Sequence, residues 1–211
     1  MTRRTRDTLV YGSSYEGYPL MEDKGPFVKN CLDKIIDVMN ASLDEHPRTF
    51  AVRFDLRLPS SLEVFSESRL IDRFISSLKS KVQHARARAS RHSDRTHTTS
   101  VRYVWAREIG NRGRPHYHFV TFLNRDAFNS LGRYERGRDN LFNRISEAWA
   151  SALDITAEDT TGLAEIPRNA IYRIRADDLD SQDKFFYRAS YLAKEATKVM
   201  GHRQRFGGSR S

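Results

Sequence analysis

Ser100–Glu108, SVRYVWARE, and His116–Leu123, HYHFVTFL, flank the sequence GNRGRP at positions 110–115. The two outer segments are rich in β-branched and aromatic residues, and Gly and Pro punctuate the six residues between them. Together they predict an antiparallel hairpin. Side chains alternate across a strand, so Arg102, Val104, Ala106 and Glu108 share one face. Val101, Tyr103, Trp105 and Arg107 take the other, which reads as the core face. His116 and His118 are two apart and project to one side, where the hairpin can bring Glu108 beside them.

The neighbouring segments give this hairpin a setting. Phe50–Leu58, FAVRFDLRL, alternates as a half-buried strand that Pro59 ends. A helix from Glu67 to about Ala89 carries a stripe of Leu70, Ile71, Phe74, Ile75, Leu78 and Val82. A second, Asp139–Leu153, aligns Leu141, Ile145, Ala148, Trp149 and Ala152. Asn169–Arg175 reads as a short strand and Leu179 to about Val199 as the last helix. From residue 49 the order is strand, helix, strand, strand, helix, strand, helix. The first six match the β-α-β-β-α-β pattern of ferredoxin-like sheets. The expected class is α+β, with a ferredoxin/RRM-like antiparallel core, an N-terminal helix and a C-terminal tyrosine-bearing helix. Two helices cover one face of such a sheet and leave the other available. The expected divisions are a polar arm at 1–25, a helical segment at 26–47, the main domain at 48–200 and a basic disordered tail at 201–211.

Composition narrows the function. The chain has 211 residues and a formal net charge of +9, with a pI near 9.8. Its 36 basic residues comprise 28 Arg and 8 Lys. Arg holds phosphate through a planar fork, so the excess suits a nucleic acid, although Arg-rich coding bias produces the same ratio. No apolar run approaches the ~20 residues of a membrane span, and the basic start MTRRTRDTLV lacks the apolar stretch of a secretory signal. One cysteine, Cys31, makes no internal disulfide and fits the cytoplasm.

Two imidazoles and a carboxylate form a three-ligand set with open positions. His116, His118 and Glu108 thus suit a divalent cation, Mg²⁺ or Mn²⁺, that also takes a phosphate oxygen. The alternative is a surface His-x-His pair on an edge strand. On the last helix Phe185, Ala189, Leu192, Ala196 and Val199 make an apolar stripe. Tyr187, Tyr191, Lys194 and Lys198 lie opposite it, with Lys184 near them: two phenols and several ammoniums able to attack and hold phosphate, or else a solvated face. Asp55 shares its strand's polar face and can support the histidines or pair with Arg53 or Arg57. Arg112 and Arg114 in the turn are phosphate-contact candidates. So are Arg86 and Arg88, in a basic stretch that alternatively reads as a solvated helix end.

The motif PHYHFV, Pro115–Val120, resembles the paired-histidine motif of the HUH endonucleases. YLAK, Tyr191–Lys194, resembles their Y-x-x-K nucleophile motif. The longer strings VRYVWARE, turn, PHYHFV and ASYLAKEATK resemble inovirus-type replication initiation proteins, gene-two-protein-like and including the YagK/YfjJ-type proteins of prophages. The resemblance covers about residues 48–200. It implies rolling-circle initiation, with metal on His116, His118 and Glu108, attack on single-stranded origin DNA by Tyr191, and Lys194 stabilising charge. It also implies strand transfer, in which Tyr187 would be a second nucleophile, and it implies host polymerase and helicase as partners. No G-x-x-x-x-G-K-[ST] is present, so unwinding falls to another protein. The rival readings are a non-catalytic RRM-like single-strand-binding module and a repressor.

Overall fold

A computed structural model describes residues 7–60, 69–110, 113–195 and 205–210. The chain begins with β1 (Leu9–Val10), β2 (Ser14–Tyr15), β3 (Tyr18–Pro19), a 3₁₀ turn at Glu22–Lys24 and β4 (Phe27–Val28). Helix α1 (Lys29–Glu45), β5 (Arg48–Arg57), α2 (Leu70–Ser90), β6 (Arg102–Ile109), β7 (Pro115–Asn124) and α3 (Leu141–Leu153) follow. The remainder is a 3₁₀ turn at Glu158–Thr160, β8 (Ala164–Glu165), β9 (Ile171–Arg175), α4 (Leu179–Ala189), a 3₁₀ turn at Ser190–Ala193 and β10 (Phe206–Gly208). This is a mixed α/β architecture with antiparallel sheets and four helices.

The main sheet runs β10-β6-β7-β5-β8, with β9 also on the outer edge of β5. The β6–β7 register sets Glu108 opposite His116 and Ala106 opposite His118. On the other side of β7, β5 sets Asp55 opposite His118. The irregular 157–168 connection supplies β8, which pairs with Asp55 and Leu56.

Helices α2 and α3 cover one face. Phe50, Val52, Phe54 and Leu56 of β5 meet Trp105, Phe119, Phe74, Ile145 and Trp149 there. Phe54 stacks on Phe119 at 5.5 Å, and Phe74 stands edge-on to both Phe119 and Trp149. Trp149 is fully buried and its Nε1 donates to the Arg57 carbonyl at 2.8 Å. Trp149→Ala opens a large cavity and orphans that carbonyl. It is expected to cost about 3–5 kcal/mol, read as a lower denaturant midpoint.

The second face is not left open. Helices α1 and α4 cover it, burying Ala51, Val104, Ala106, Val120 and Phe122 against Leu32, Ile35, Met39, Phe185 and Phe186. Strand β5 is therefore buried on both sides from Thr49 through Val52 rather than half-buried. Small Ala51 lets a helix approach where the alternation reads polar. Beyond Ala106 and Val120 this face turns polar, and the candidate site begins.

Residues 7–25 also depart from the expected arm. Leu20 is buried, and Tyr18 packs on Phe186 with ring centroids 4.8 Å apart. Part of the expected disordered tail forms β10 on the edge of β6. Gly207 permits this, since a Cβ there would meet Trp105 Nε1 at 2.7 Å.

The last helix ends early. Helix α4 stops at Ala189, and Tyr191 sits in the following 3₁₀ turn. Ser190 Oγ donates to the Tyr187 carbonyl and accepts from the Met21 amide. Lys194 then leaves in an extended conformation and bridges to Phe27. The N-terminal segment thus captures the chain and ends the helix.

Candidate metal and tyrosine site

The strand alternation of β7 puts His116 and His118 on the second face, and β6 delivers Glu108 beside them. One ligand atom from each lies within 4.8 Å of the others. Glu108 Oε2 is 3.1 Å from His118 Nε2 and 3.5 Å from His116 Nε2. Glu108 and His118 are buried, each 5% exposed, while the His116 side chain keeps 24%. Asp55 accepts or shares a hydrogen bond at 2.6 Å with His118 Nδ1, which leaves Nε2 directed at Glu108.

The electrostatics are strongly coupled. Burial by itself would raise the Glu108 carboxyl; the His116 and His118 imidazoles and the Lys194 charge instead hold it well below the usual carboxylate range. Burial would lower His118, yet Asp55 and then Glu108 raise it. Neither His118 Nε2 nor Glu108 Oε1 has a hydrogen bond of good geometry, though both are buried. Each instead has an ionic neighbour, Lys194 for Oε1 and Glu108 Oε2 for Nε2, and both are atom types that can ligate a metal ion. The nitrogen and oxygen donor set can hold a divalent metal ion.

Tyr191 joins this cluster from the 3₁₀ turn. Its ring stands edge-on to His118 with centroids 5.7 Å apart. Lys194 Nζ donates to the Tyr191 oxygen at 2.5 Å and lies 3.2 Å from Glu108 Oε1. Arg53, two residues before Asp55 on β5, lies over the Tyr191 ring at 5.1 Å and reaches Asp55 at 3.8 Å. A carboxylate, two imidazoles, a phenol and two cations are therefore assembled in one polar cluster. Such a set can bind a metal and a phosphate and present an oxygen nucleophile.

The other candidates separate. Arg114 donates to the carbonyls of Pro59 and Ser60 and lines a cavity of about 640 Å³ that reaches His116. Tyr187 lines a different cavity. Arg86 and Arg88 belong to α2, across the sheet. Arg86 donates to the carbonyls of His97 and Ala127, and Arg88 pairs with Asp139. Arg112 and Lys198 lie outside the described residues.

Two residues enter that the sequence did not single out as site members. Arg53 was legible in principle, since it shares a face with Asp55. Lys24 comes from the non-periodic N-terminal segment, and its ammonium is raised first by Asp23 and further by the Tyr191 and Tyr187 oxygens.

The family model for the YagK/YfjJ C-terminal domain matches residues 11–209. Uncharacterized protein YfjJ of Escherichia coli is 33% identical over 201 residues, covering 88% of this chain and 96% of that protein. Uncharacterized protein YagK of the same organism is 33% identical over 178 residues, covering 79% and 85% respectively. No solved structure matches the chain.

Proposed function

This chain belongs to the YagK/YfjJ C-terminal domain family, and on that premise we propose that it is a rolling-circle replication initiator of the HUH type. Its substrate would be single-stranded origin DNA, cut in the cytoplasm, with host helicase and polymerase completing replication. The observation that carries this reading is the meeting of Tyr191 with the His118–Glu108 pair, bridged by Lys194. We read the element order β5-α2-β6-β7-α3-β9, with strands arranged β6-β7-β5-β9, as the ferredoxin/RRM-like core of that superfamily.

Glu108, His116 and His118 would hold the cation, and a bound Mg²⁺ or Mn²⁺ supplies Lewis acidity toward the scissile phosphate. The Tyr191 oxygen attacks phosphorus. The bond to the 3′ oxygen breaks as the bond to the phenol oxygen forms. The phenol loses a proton and the 3′ oxygen gains one, leaving a 5′-phosphotyrosyl link and a free 3′-hydroxyl. Lys194 and Arg53 fix the tyrosine ring from the chain's own side. Asp55 fixes the His118 ring by its hydrogen bond.

The rival single-strand-binding module needs exposed aromatics on an open sheet face. Helices α1 and α4 cover that face here, which favours the catalytic reading. The direct test incubates the protein with Mn²⁺ and single-stranded DNA of the resident element, then denatures it. A covalent adduct is expected, and its absence from a metal-loaded protein that binds the strand overturns the proposal.

Asp55 tests the support beneath the ligands. Asp55→Asn is expected to weaken Mn²⁺ binding by about 10–100-fold, because the His118 ring loses its charged partner. Calorimetric titration with Mn²⁺ measures this, and an unchanged affinity would remove Asp55 from the site.

A further inference from the structure

Tyr187 stands about one helical turn before Tyr191 yet stays out of the ligand cluster. It is 38% exposed. With Pro19, Asn169, Tyr172, Lys184 and Arg188 it lines a cavity of about 530 Å³ whose walls are mainly apolar. Asp183 is the one carboxylate of that lining. Lys184 is held by Asp180 at 2.5 Å. The charges are close to balanced, which suits a flat uncharged ring better than a phosphate.

The cleft also has a firm floor. Tyr172 stands edge-on to Phe185 at 5.5 Å, and Phe185 edge-on to Phe122 of β7 at 5.3 Å. The platform is thereby anchored to the strand that carries His116 and His118.

We propose that this cleft binds a nucleobase of the single strand adjoining the cut, stacked on Tyr187. The inference rests on the single-strand reading above and deepens it. Tyr187 then anchors the substrate rather than serving as a second nucleophile. Base–aromatic stacking tolerates any base, so the cleft sets register more than sequence.

The test uses the full chain with a fluorescent oligothymidylate strand in EDTA, read by anisotropy. Tyr187→Ala is expected to weaken binding by about tenfold, whereas Tyr187→Phe keeps the stacking face and stays within about twofold of wild type. Equal affinity for Tyr187→Ala and wild type overturns the proposal. So does Tyr187→Phe binding as weakly as Tyr187→Ala, because the hydroxyl would then be the active part. The adduct assay with Mn²⁺ runs in parallel. Tyr187-dependent binding without any adduct brings down the nicking reading and leaves the cleft. Adduct formation with Tyr187-independent binding does the reverse.

Discussion

Tyr191→Phe is expected to abolish the covalent protein–DNA adduct, a fall of at least about 10⁴-fold, while single-strand affinity is retained. The substitution is conservative in packing. Phenylalanine keeps the edge-on contact with His118 at 5.7 Å and the face beneath Arg53 at 5.1 Å. Lys194 loses the phenol oxygen but keeps Glu108 at 3.2 Å. The three ligand side chains have no reason to move, so Mn²⁺ binding is the internal control. Gel separation of the denatured reaction reads the adduct directly. Persistence of the adduct in this variant would mean that another side chain attacks, and Tyr187→Phe would then be the variant to lose it.

The histidines give the second large effect, and they differ in kind. His118 is buried between Asp55 and Glu108. His118→Ala removes a candidate ligand and takes one partner from each of two carboxylates, leaving Asp55 with Arg53 and Glu108 with Lys194 and His116. Breaking a buried charge pair from one side costs about 3–5 kcal/mol. His116 is the more exposed candidate ligand, and its ion-pair partner among the described residues is Glu108, at 3.5 Å. His116→Ala is expected to lose Mn²⁺ affinity and adduct formation with a much smaller loss of stability. The checks are Mn²⁺ titration and thermal midpoints of both variants without metal. Wild-type Mn²⁺ affinity in both would dismiss the metal site. Equal midpoints would dismiss the buried Asp55–His118–Glu108 arrangement.

The ligand geometry was legible because period-two alternation is a strict rule. Counting residues is enough to put Glu108, His116, His118 and Asp55 on one face, and the register then sets Glu108 opposite His116. The cover on that face was less legible. Ala51 and Ala106 are too small to signal burial, yet they are what admit α1 and α4. Helical periodicity carried past Ala189 through Tyr191 because it sees only the chain's own spacing, whereas Met21 and Phe27 intervene from far away; residues 196–199 of that stretch lie outside the described residues. Two-residue strands such as β2 and β3 are shorter than any periodic signal. The basic residues of α2 read as a phosphate track. In the structure Arg86 donates to backbone carbonyls and Arg88 pairs with Asp139, contacts that depend on tertiary structure and that the sequence does not show.

The turn that carries Tyr191 is fastened to the N-terminal segment by Met21, 169 residues away in the chain. The hairpin that carries the ligands closes over only the short turn between β6 and β7. Chain closure over short loops is fast, and long-range contacts form late because their entropy cost comes first. Assembly of the Glu108–His116–His118 cluster and placement of Tyr191 are thus expected to be separate events in folding time. On the nicking reading proposed above, a nascent or partly opened molecule would present the Glu108, His116 and His118 side chains before Tyr191, so the cutting step would be the last to be assembled.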